Sequence, residues 1–336
     1  MKRNKDYLGF IEKYFAILDK DTQRPVPFKL NVVQKAYYEM LQKDYSNMDG
    51  VRDIVLKARQ EGMSSFILAL FTVDFLTTPY SISLCISHRK DSTDLLFKKV
   101  KFYIDSYCSA LNINPQALLK SDNKNFIENA QNGAYFYIGT AGAKVGGRGG
   151  SAKNILFSEC AFYQDTELIT AQEIVVATAQ QVPQGKGMIF IESTANGLDN
   201  YYQQTWEQAE QGISTYKPRF FGWREFYTEE WITEKRKEFP TDAMWKQEYP
   251  ETPEDAFITT GSPYFDNQIL KAMLDVSPDP LFKGKFSPDG QLDILEEEEN
   301  PSVYVYREPE YGEQFVVFAD PADSKDFCAA VACSKK

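Results

Sequence analysis

The sequence predicts an α/β fold in which helices cover both faces of a doubly wound, mostly parallel sheet. Short apolar runs alternate with longer segments of helical period, which is typical of parallel strands joined by crossover helices. The 336 residues suffice for two compact units, and a composition that is 43% hydrophobic and 25% charged is ordinary for a globular chain. The sequence contains no apolar run of about 18 residues, so we expect no membrane-spanning helix.

The elements follow from these periods. Helices are predicted within the first 40 residues, the second of them from Val32 to about Gln42. The predicted strands are Asp53–Ala58, Ser81–Ser87, Ala134–Thr140, Asn154–Phe157 and Gly187–Glu192, and the predicted helices between and after them are Ser64–Thr77, Asp91–Ala110, Ile169–Gln180 and Leu198–Gln211. Further on we predict a helix at Glu229–Glu238, irregular Pro-rich sequence, a solvated acidic loop at Glu296–Glu299, and strands at Ser302–Arg307, Gln314–Ala319 and Phe327–Cys333.

Charge is divided unevenly between the two halves of the chain. The formal net charge is −11, with +6 in residues 1–160 and −17 in residues 161–336. An acidic total argues against a nucleic-acid partner, but the positive half leaves DNA open as one. A single histidine, His88, makes a Ser-His-Asp triad or a His-rich metal site implausible, and five scattered cysteines do not form a disulfide scaffold.

The most informative segment joins an apolar strand to a helix through a short loop, Lys57-Ala-Arg59-Gln60-Glu-Gly62-Met-Ser64-Ser65. This is the layout of a phosphate-binding loop, in which backbone N–H groups hold the anion and a hydroxyl binds Mg²⁺. Against G-x-x-x-x-G-K-[ST], Lys57 stands at the first glycine and Met63 at the lysine. A plain strand–turn–helix cap is the alternative, although Lys57 and Arg59 could supply the missing charge.

Two other predicted strands end in polar residues. In nucleotide hydrolases a strand-end Asp holds Mg²⁺ through water and the following Glu polarises the attacking water. Here Ser158 takes the Asp position and Glu159 remains as the candidate base, although a buried strand can also end in Glu without catalytic purpose. The strand before Ser193-Thr194-Ala-Asn196-Gly197 ends in small polar residues suited to sensing a γ-phosphate, or in an ordinary Gly turn.

A fourth segment, residues 139–150, is rich in glycine and contains Arg148. A mobile loop with an embedded arginine suits contact with a nucleic-acid backbone or an arginine finger that neutralises transition-state charge. A linker is the alternative.

Together these segments resemble the ATPase domain of the large terminase subunit, the DNA-packaging motor of tailed bacteriophages. Its variant phosphate loop, K-x-R-Q-x-G-x-S-[ST], is similar to the segment from Lys57 to Ser65, and its Ser-Thr-x-Asn-Gly coupling motif is similar to residues 193–197. The resemblance implies a P-loop NTPase-like sheet that binds ATP and Mg²⁺. Implied nucleotide contacts are Gln34 (to adenine), Lys57, Arg59, Gln60, Gly62, Ser64, Ser65, Thr194 and Asn196, with Ser64 binding Mg²⁺, Glu159 as the base and Arg148 as a finger acting on a neighbouring subunit.

The same resemblance implies a domain order. We expect an ATPase domain over 1–225, a small lid subdomain or linker over 226–300, and the first strands of a ribonuclease-H-like nuclease domain over 301–336. Asp320 would be the first metal-binding carboxylate of that nuclease. Two-metal nucleases need several carboxylates, and the sequence stops at Lys336, so we expect this truncated nuclease part not to cleave DNA.

The implied function is ATP-driven translocation of double-stranded viral DNA into a procapsid. Implied partners are the portal protein, the small terminase subunit and further copies of the chain in a pentamer-like ring, in the host bacterial cytoplasm and outside the mature virion. Two alternatives stay open: a nucleotide-binding assembly module with little hydrolysis, and a helicase-like DNA-dependent ATPase. A plain α/β enzyme with chance motif matches is the least specific interpretation.

Overall fold

The structure of the protein is a computed structural model that describes residues 5–20, 22–142, 151–166, 168–257, 273, 276–286, 292–294, 303–308, 310–320 and 329–334. The chain forms two compact units, 1–262 and 263–336. Their boundary lies inside the segment predicted as the lid, 226–300. No helix in the described ranges is long and apolar enough to span a membrane.

The first unit alternates strands and helices, as predicted. Its α-helices are α1 (Tyr7–Tyr14), α2 (Val32–Asp44), α3 (Met63–Thr77), α4 (Lys90–Leu111), α5 (Pro115–Leu118), α6 (Ala171–Ala179), α7 (Tyr201–Glu210), α8 (Glu229–Arg236), α9 (Asp242–Glu248) and α10 (Pro253–Ala256). Its strands are β1 (Ala16–Leu18), β2 (Pro25–Pro27), β3 (Val51–Lys57), β4 (Ile82–Ser87), β5 (Leu119–Asp122), β6 (Phe126–Asn129), β7 (Tyr135–Thr140), β8 (Asn154–Ser158), β9 (Met188–Ser193) and β10 (Lys217–Phe221).

Eight of these strands form the central sheet, in the order β10-β3-β9-β8-β4-β7-β6-β5. The pairs from β10 to β7 are parallel, and β6 and β5 complete one edge in antiparallel orientation. The five predicted strands are the contiguous centre of this sheet, so the predicted fold class is confirmed. The order places β9 between β3 and β8, which brings the ends of all three strands together.

The sheet is covered on both faces because successive residues of its buried strands point in opposite directions. On β3, Val55 belongs to a core with α1, α2, α3 and α4, whereas Ile54 and Leu56 belong to a second core with α6 and α7. Helix α3 is mostly apolar and is buried from Phe66 to Phe75, which is typical of a helix enclosed by other elements. Trp206 and Cys160 are buried in the second core.

Several elements differ from the prediction. A hairpin of β1 and β2 separates the two N-terminal helices, and the edge strand β10 was not predicted. The sequence of β10 is Lys-Pro-Arg-Phe-Phe, and Pro and charge are features of edge strands that weaken a strand signal. The Pro-rich sequence predicted to be irregular contains α9 and α10. Each begins after a threonine, Thr241 or Thr252, whose hydroxyl accepts a backbone hydrogen bond in the first turn.

The helices after β10 pack on the end of β3. Trp223, Ile232, Trp245 and Tyr249 surround Ala58, the residue after the last residue of β3, in a small third core. This packing anchors α8 and α9 beside the loop that follows β3.

The second unit contains β11 (Phe282–Phe286), β12 (Leu292–Ile294), β13 (Val303–Val305), β14 (Phe315–Asp320) and β15 (Ala329–Ser334). Strands β12, β11 and β13 form one antiparallel sheet, and β14 pairs with β15 in another. Three strands predicted here are confirmed as β13, β14 and β15. Asp320 is the last residue of β14, and the acidic run 296–299 lies outside the described residues.

Candidate nucleotide-binding site

A cleft of about 910 Å³ opens at the carboxyl ends of β3, β4, β8 and β9. This edge is where ligands bind in doubly wound α/β folds, and the volume suits a small-molecule site, for which roughly 300–1,000 Å³ is usual. The predicted site residues that line it are Lys57, Arg59, Gln60, Gly62, Ser64, Ser65, Glu159, Thr194 and Asn196.

The phosphate-binding loop turns directly from β3 into α3. Gly62 has φ +80°, and a Cβ there would lie 2.7 Å from Gln34 Nε2, so both conformation and space favour glycine. Helix α3 begins at Met63 with no side-chain cap. The N–H groups of its first turn therefore remain available to an anion at this 15-residue helix, beside the hydroxyls of Ser64 and Ser65.

Helix α2 supports this loop from behind. Gln34 Nε2 donates to the carbonyl of Gly62 at 2.8 Å, and Asn31 Nδ2 donates to the carbonyl of Glu61 at 2.9 Å. Gln34 Oε1 accepts from the backbone N–H of Asn31 at 3.1 Å. Gln34 is buried and does not line the cleft as the described residues form it. The structure thus places the predicted adenine-reading side chain as a brace for the loop.

Lys57 lies between two carboxylates at the floor of the cleft. Its Nζ is 3.1 Å from Glu159 Oε1 and 3.5 Å from Glu192 Oε2. Burial opposes the charged form of Lys57, but attraction to Glu159 and Glu192 outweighs it and raises the pKa of Lys57 above its usual value. Burial likewise opposes ionisation of Glu159, but Lys57 outweighs it and lowers the pKa of that carboxyl. Lys57 and Glu159 are therefore both charged at neutral pH.

Arg59, the other predicted phosphate contact in the loop, is held by α9. Its Nη1 is 2.9 Å from Glu248 Oε2, and its backbone N–H donates to the carbonyl of Glu248 at 2.8 Å. Tyr227 donates its hydroxyl to the carbonyl of Arg59 at 2.8 Å. Arg59 thus links the phosphate-binding loop to the helices that follow β10.

Glu61, in the phosphate-binding loop, is a third carboxyl of the site, and sequence reasoning did not single it out. It is fully buried, and neither of its side-chain oxygens accepts a hydrogen bond from the described residues. Burial raises the pKa of Glu61 to about 9. A neutral acid at this position does not repel an incoming phosphate.

The predicted base and the predicted coupling segment are in contact. The backbone N–H of Thr194 donates to Glu159 Oε2 at 3.3 Å, and Ser193 Oγ lies 3.4 Å from the same atom. Asn196 Nδ2 donates to the carbonyl of Ala161 at 3.0 Å, which ties the two segments together again. Glu159 has φ +53°, a left-handed conformation that is strained for this residue and is often found at functional sites.

Some cleft residues were not predicted. Lys99 of α4 donates its Nζ to Ser65 Oγ at 2.8 Å, and Lys20 donates to the carbonyl of Gln60 at 3.2 Å. Arg89 and His88 also line the cleft. Both directly follow the predicted strand β4, and that position indicates a place at the ligand-binding edge of the sheet. Arg148 lies outside the described residues.

The residues behind Ser64 fit a nucleotide-bound magnesium ion. Ser64 Oγ donates to Glu192 Oε1 at 2.5 Å, and the buried Glu192 Oε2 accepts no hydrogen bond from the described residues. Within those residues no group of three or more His, Cys, Asp and Glu is placed to hold a metal by itself. That agrees with the chemistry of Mg²⁺ in nucleotide sites, where one or two protein oxygens act with phosphates and water.

Two solved structures share this architecture. The large terminase of bacteriophage HK97 matches with a TM-score of 0.53 at 13% identity, over 88% of this chain and 67% of that one. An ATPase-domain variant of the Thermus phage P74-26 large terminase matches with a TM-score of 0.50 at 16% identity, over 69% of this chain and 95% of that one. The fold is that of a large-terminase ATPase domain. No protein-family model and no curated protein matches the chain.

Proposed function

We propose that the protein binds ATP in this cleft and hydrolyses it to move double-stranded DNA of a tailed bacteriophage into a procapsid. The observation that carries the proposal is the meeting, in one cleft, of an uncapped helix N-terminus, the Lys57–Glu159 ion pair and the segment after β9. The large-terminase fold supports the packaging role.

Phosphate binding falls to the loop and the first turn of α3. The free N–H groups of that turn favour the β- and γ-phosphates, and Lys57 at the cleft floor supplies positive charge. When Mg²⁺ is bound with ATP it neutralises phosphate charge, and Ser64 would hold it. Ser64 also keeps its proton directed at Glu192, which leaves its oxygen lone pairs free for the ion.

Glu159 is the group we assign to the attacking water. Its side chain is 28% exposed, so water reaches it, and its lowered pKa keeps it ionised as a base must be. Lys57 Nζ lies 3.1 Å from this carboxylate. Phosphate would draw Lys57 away and release Glu159 to orient water.

The contact of Thr194 with Glu159 provides a route from hydrolysis to movement. A shift of the Glu159 carboxylate would move the backbone of residues 194–196 through these hydrogen bonds. We assign Thr194 and Asn196 to this coupling.

The remaining roles follow from the resemblance to large terminases. Arg148 would act as an arginine finger on a neighbouring subunit's nucleotide within a homo-oligomeric ring. The ring would dock on the portal protein with the small terminase subunit, in the host cytoplasm. Asp320 would belong to a nuclease site.

The decisive experiment is the Glu159→Gln substitution, measured as ATP turnover with and without double-stranded DNA. Removal of a positioned base costs about 10²- to 10⁴-fold in rate, while ATP affinity should persist because the phosphate-binding loop is unchanged. Glu39→Gln on the exposed face of α2 is the matched control and should turn over like the unaltered protein. Retained turnover in Glu159→Gln would refute the base assignment.

A second candidate, ATP-dependent assembly with little hydrolysis, is favoured by one observation. Lys57 already has two carboxylate neighbours, and Met63 stands where the phosphate-binding lysine is usual. Absence of DNA-stimulated turnover in the unaltered protein, with ATP binding intact, would favour this candidate.

A further inference from the structure

Ser158 ends β8 where nucleotide hydrolases of this layout carry an Asp for the metal. In the sheet, Ser158 pairs in parallel register with Glu192 of the neighbouring strand β9. Adjacent strands lie about 4.8 Å apart, so a side chain from β9 can reach the space in front of the end of β8. The carboxylate absent at residue 158 is therefore present one strand away.

The contacts of Glu192 are those of a metal-site carboxylate. Its Oε1 accepts hydrogen bonds from Ser64 Oγ at 2.5 Å and from Ser158 Oγ at 2.8 Å. The residue is fully buried, and its Oε2 accepts no hydrogen bond from the described residues, with Lys57 Nζ at 3.5 Å. An unsatisfied buried carboxylate oxygen is costly unless a further ligand completes it.

We infer that Glu192 supplies the protein carboxylate for the magnesium ion of bound ATP, in place of the strand-end Asp that Ser158 replaces. This inference rests on the proposed ATP binding. Glu192 is a positioning residue: its Oε1 accepts the hydrogen bond of Ser64 Oγ, which leaves the Ser64 lone pairs for the ion, and its Oε2 would accept a hydrogen bond from water bound to the ion. Ser158 holds the carboxylate in this orientation.

A purely structural ion pair with Lys57 makes a different prediction. Loss of such a pair changes stability and leaves the effect of Mg²⁺ on ATP affinity unchanged. Loss of a metal-site carboxylate reduces that effect specifically. The two roles are separated by the ratio of the ATP dissociation constant in EDTA to that in Mg²⁺.

The experiment measures this ratio by calorimetry for the unaltered protein, Glu192→Gln, Glu192→Asp and the double variant Glu192→Gln, Ser158→Asp. Loss of an outer metal-site partner typically costs about 10- to 100-fold in metal affinity, so we expect the ratio to fall by that order in Glu192→Gln. ATP affinity in EDTA should stay the same or increase, because Lys57 loses one competing carboxylate. The double variant, with its carboxylate moved to β8, should regain much of the ratio.

Glu159→Gln is the matched control, because it removes the other carboxylate beside Lys57 and should keep the ratio. An unchanged ratio in Glu192→Gln overturns the inference. If that variant does not fold, as judged by circular dichroism, Glu192→Asp decides: it keeps the charge, withdraws the carboxylate from Ser64, and must lower the ratio. If the unaltered protein binds no ATP in either condition, the proposed function fails together with the inference. ATP binding with a ratio unaffected by Glu192 refutes the inference alone.

Discussion

The two carboxylates that flank Lys57 lie on neighbouring strand ends and differ in solvation. Glu159 follows β8 in a left-handed conformation, and its side chain is 28% exposed. Glu192 lies within β9, is fully buried, and is bonded to two serine hydroxyls. The same chemical group is thus open to water at one strand and closed to it at the next.

A site can in this way divide two tasks between identical side chains. Orienting water needs an ionised carboxylate that water can reach, and Glu159 meets that need. Holding a hydroxyl and a metal-bound water needs a fixed charge screened from solvent, where electrostatic attraction is stronger. The fully buried Glu192 suits that second task.

The largest expected effect comes from Lys57→Met, which removes the cation that the two carboxylates share. Leaving a buried charge without its partner costs about 3–5 kcal/mol, so the free energy of unfolding in urea should fall by that order. Adding Glu192→Gln should recover more stability than adding Glu159→Gln, because the fully buried charge is the costlier one to leave alone. Equal recovery of stability by the two additions would show that the two carboxylates do not differ in this way. Lys35→Met, at an exposed position of α2, is the control.

A smaller effect is expected from the third carboxyl of the cleft. The pKa of Glu61 is raised from 4.5 to about 9 by burial, so the folded protein keeps a proton that the unfolded chain releases above pH 4.5. The free energy of unfolding should therefore fall between pH 4.5 and 9, by at most about 1.4 kcal/mol per pH unit. For Glu159, whose pKa is lowered, the stabilising contribution is instead lost as pH falls below 4.5.

Glu61→Gln should flatten this decline, since an amide has no proton to release. Urea unfolding at pH 6 and pH 9 measures it, with Glu39→Gln as the control at an exposed site. A variant whose stability declines with pH as steeply as that of the unaltered protein would show that Glu61 is ionised in the fold.

Much of the fold could be predicted because buried parallel strands are continuous apolar runs that stand out from their helices. The edge strands β5, β6 and β10 could not be, because short, polar or Pro-containing edges lack that signal. The proximity of Lys57, Ser64 and Glu159 could be predicted, because neighbouring parallel strands end at the same edge of the sheet. Glu192 was missed because its importance depends on the strand order and on its register with Ser158, which no local pattern encodes.

Gln34 is the opposite case, because a local sequence pattern indicates its structural role. Asn31 and Gln34 have the spacing of a capping box, in which the side chains of the two residues bond each other's backbone. That pattern predicts a role at the start of α2, and the structure shows the same amide bracing Gly62.

The smallest expected effects separate the two carboxylates by their serine partners. Ser158 Oγ donates to Glu192 at 2.8 Å, and Ser193 Oγ lies at a longer 3.4 Å from Glu159. Ser158→Ala should cost about 1 kcal/mol of unfolding free energy and reduce the Mg²⁺ effect on ATP affinity, with turnover at saturating Mg²⁺ nearly kept. Ser193→Ala should lower turnover modestly and leave the Mg²⁺ effect unchanged. The two variants are matched controls, because each deletes one buried hydroxyl beside one carboxylate. If both variants lower turnover, or both reduce the Mg²⁺ effect on ATP affinity, then Glu159 and Glu192 act as one group and the division of tasks between them is wrong.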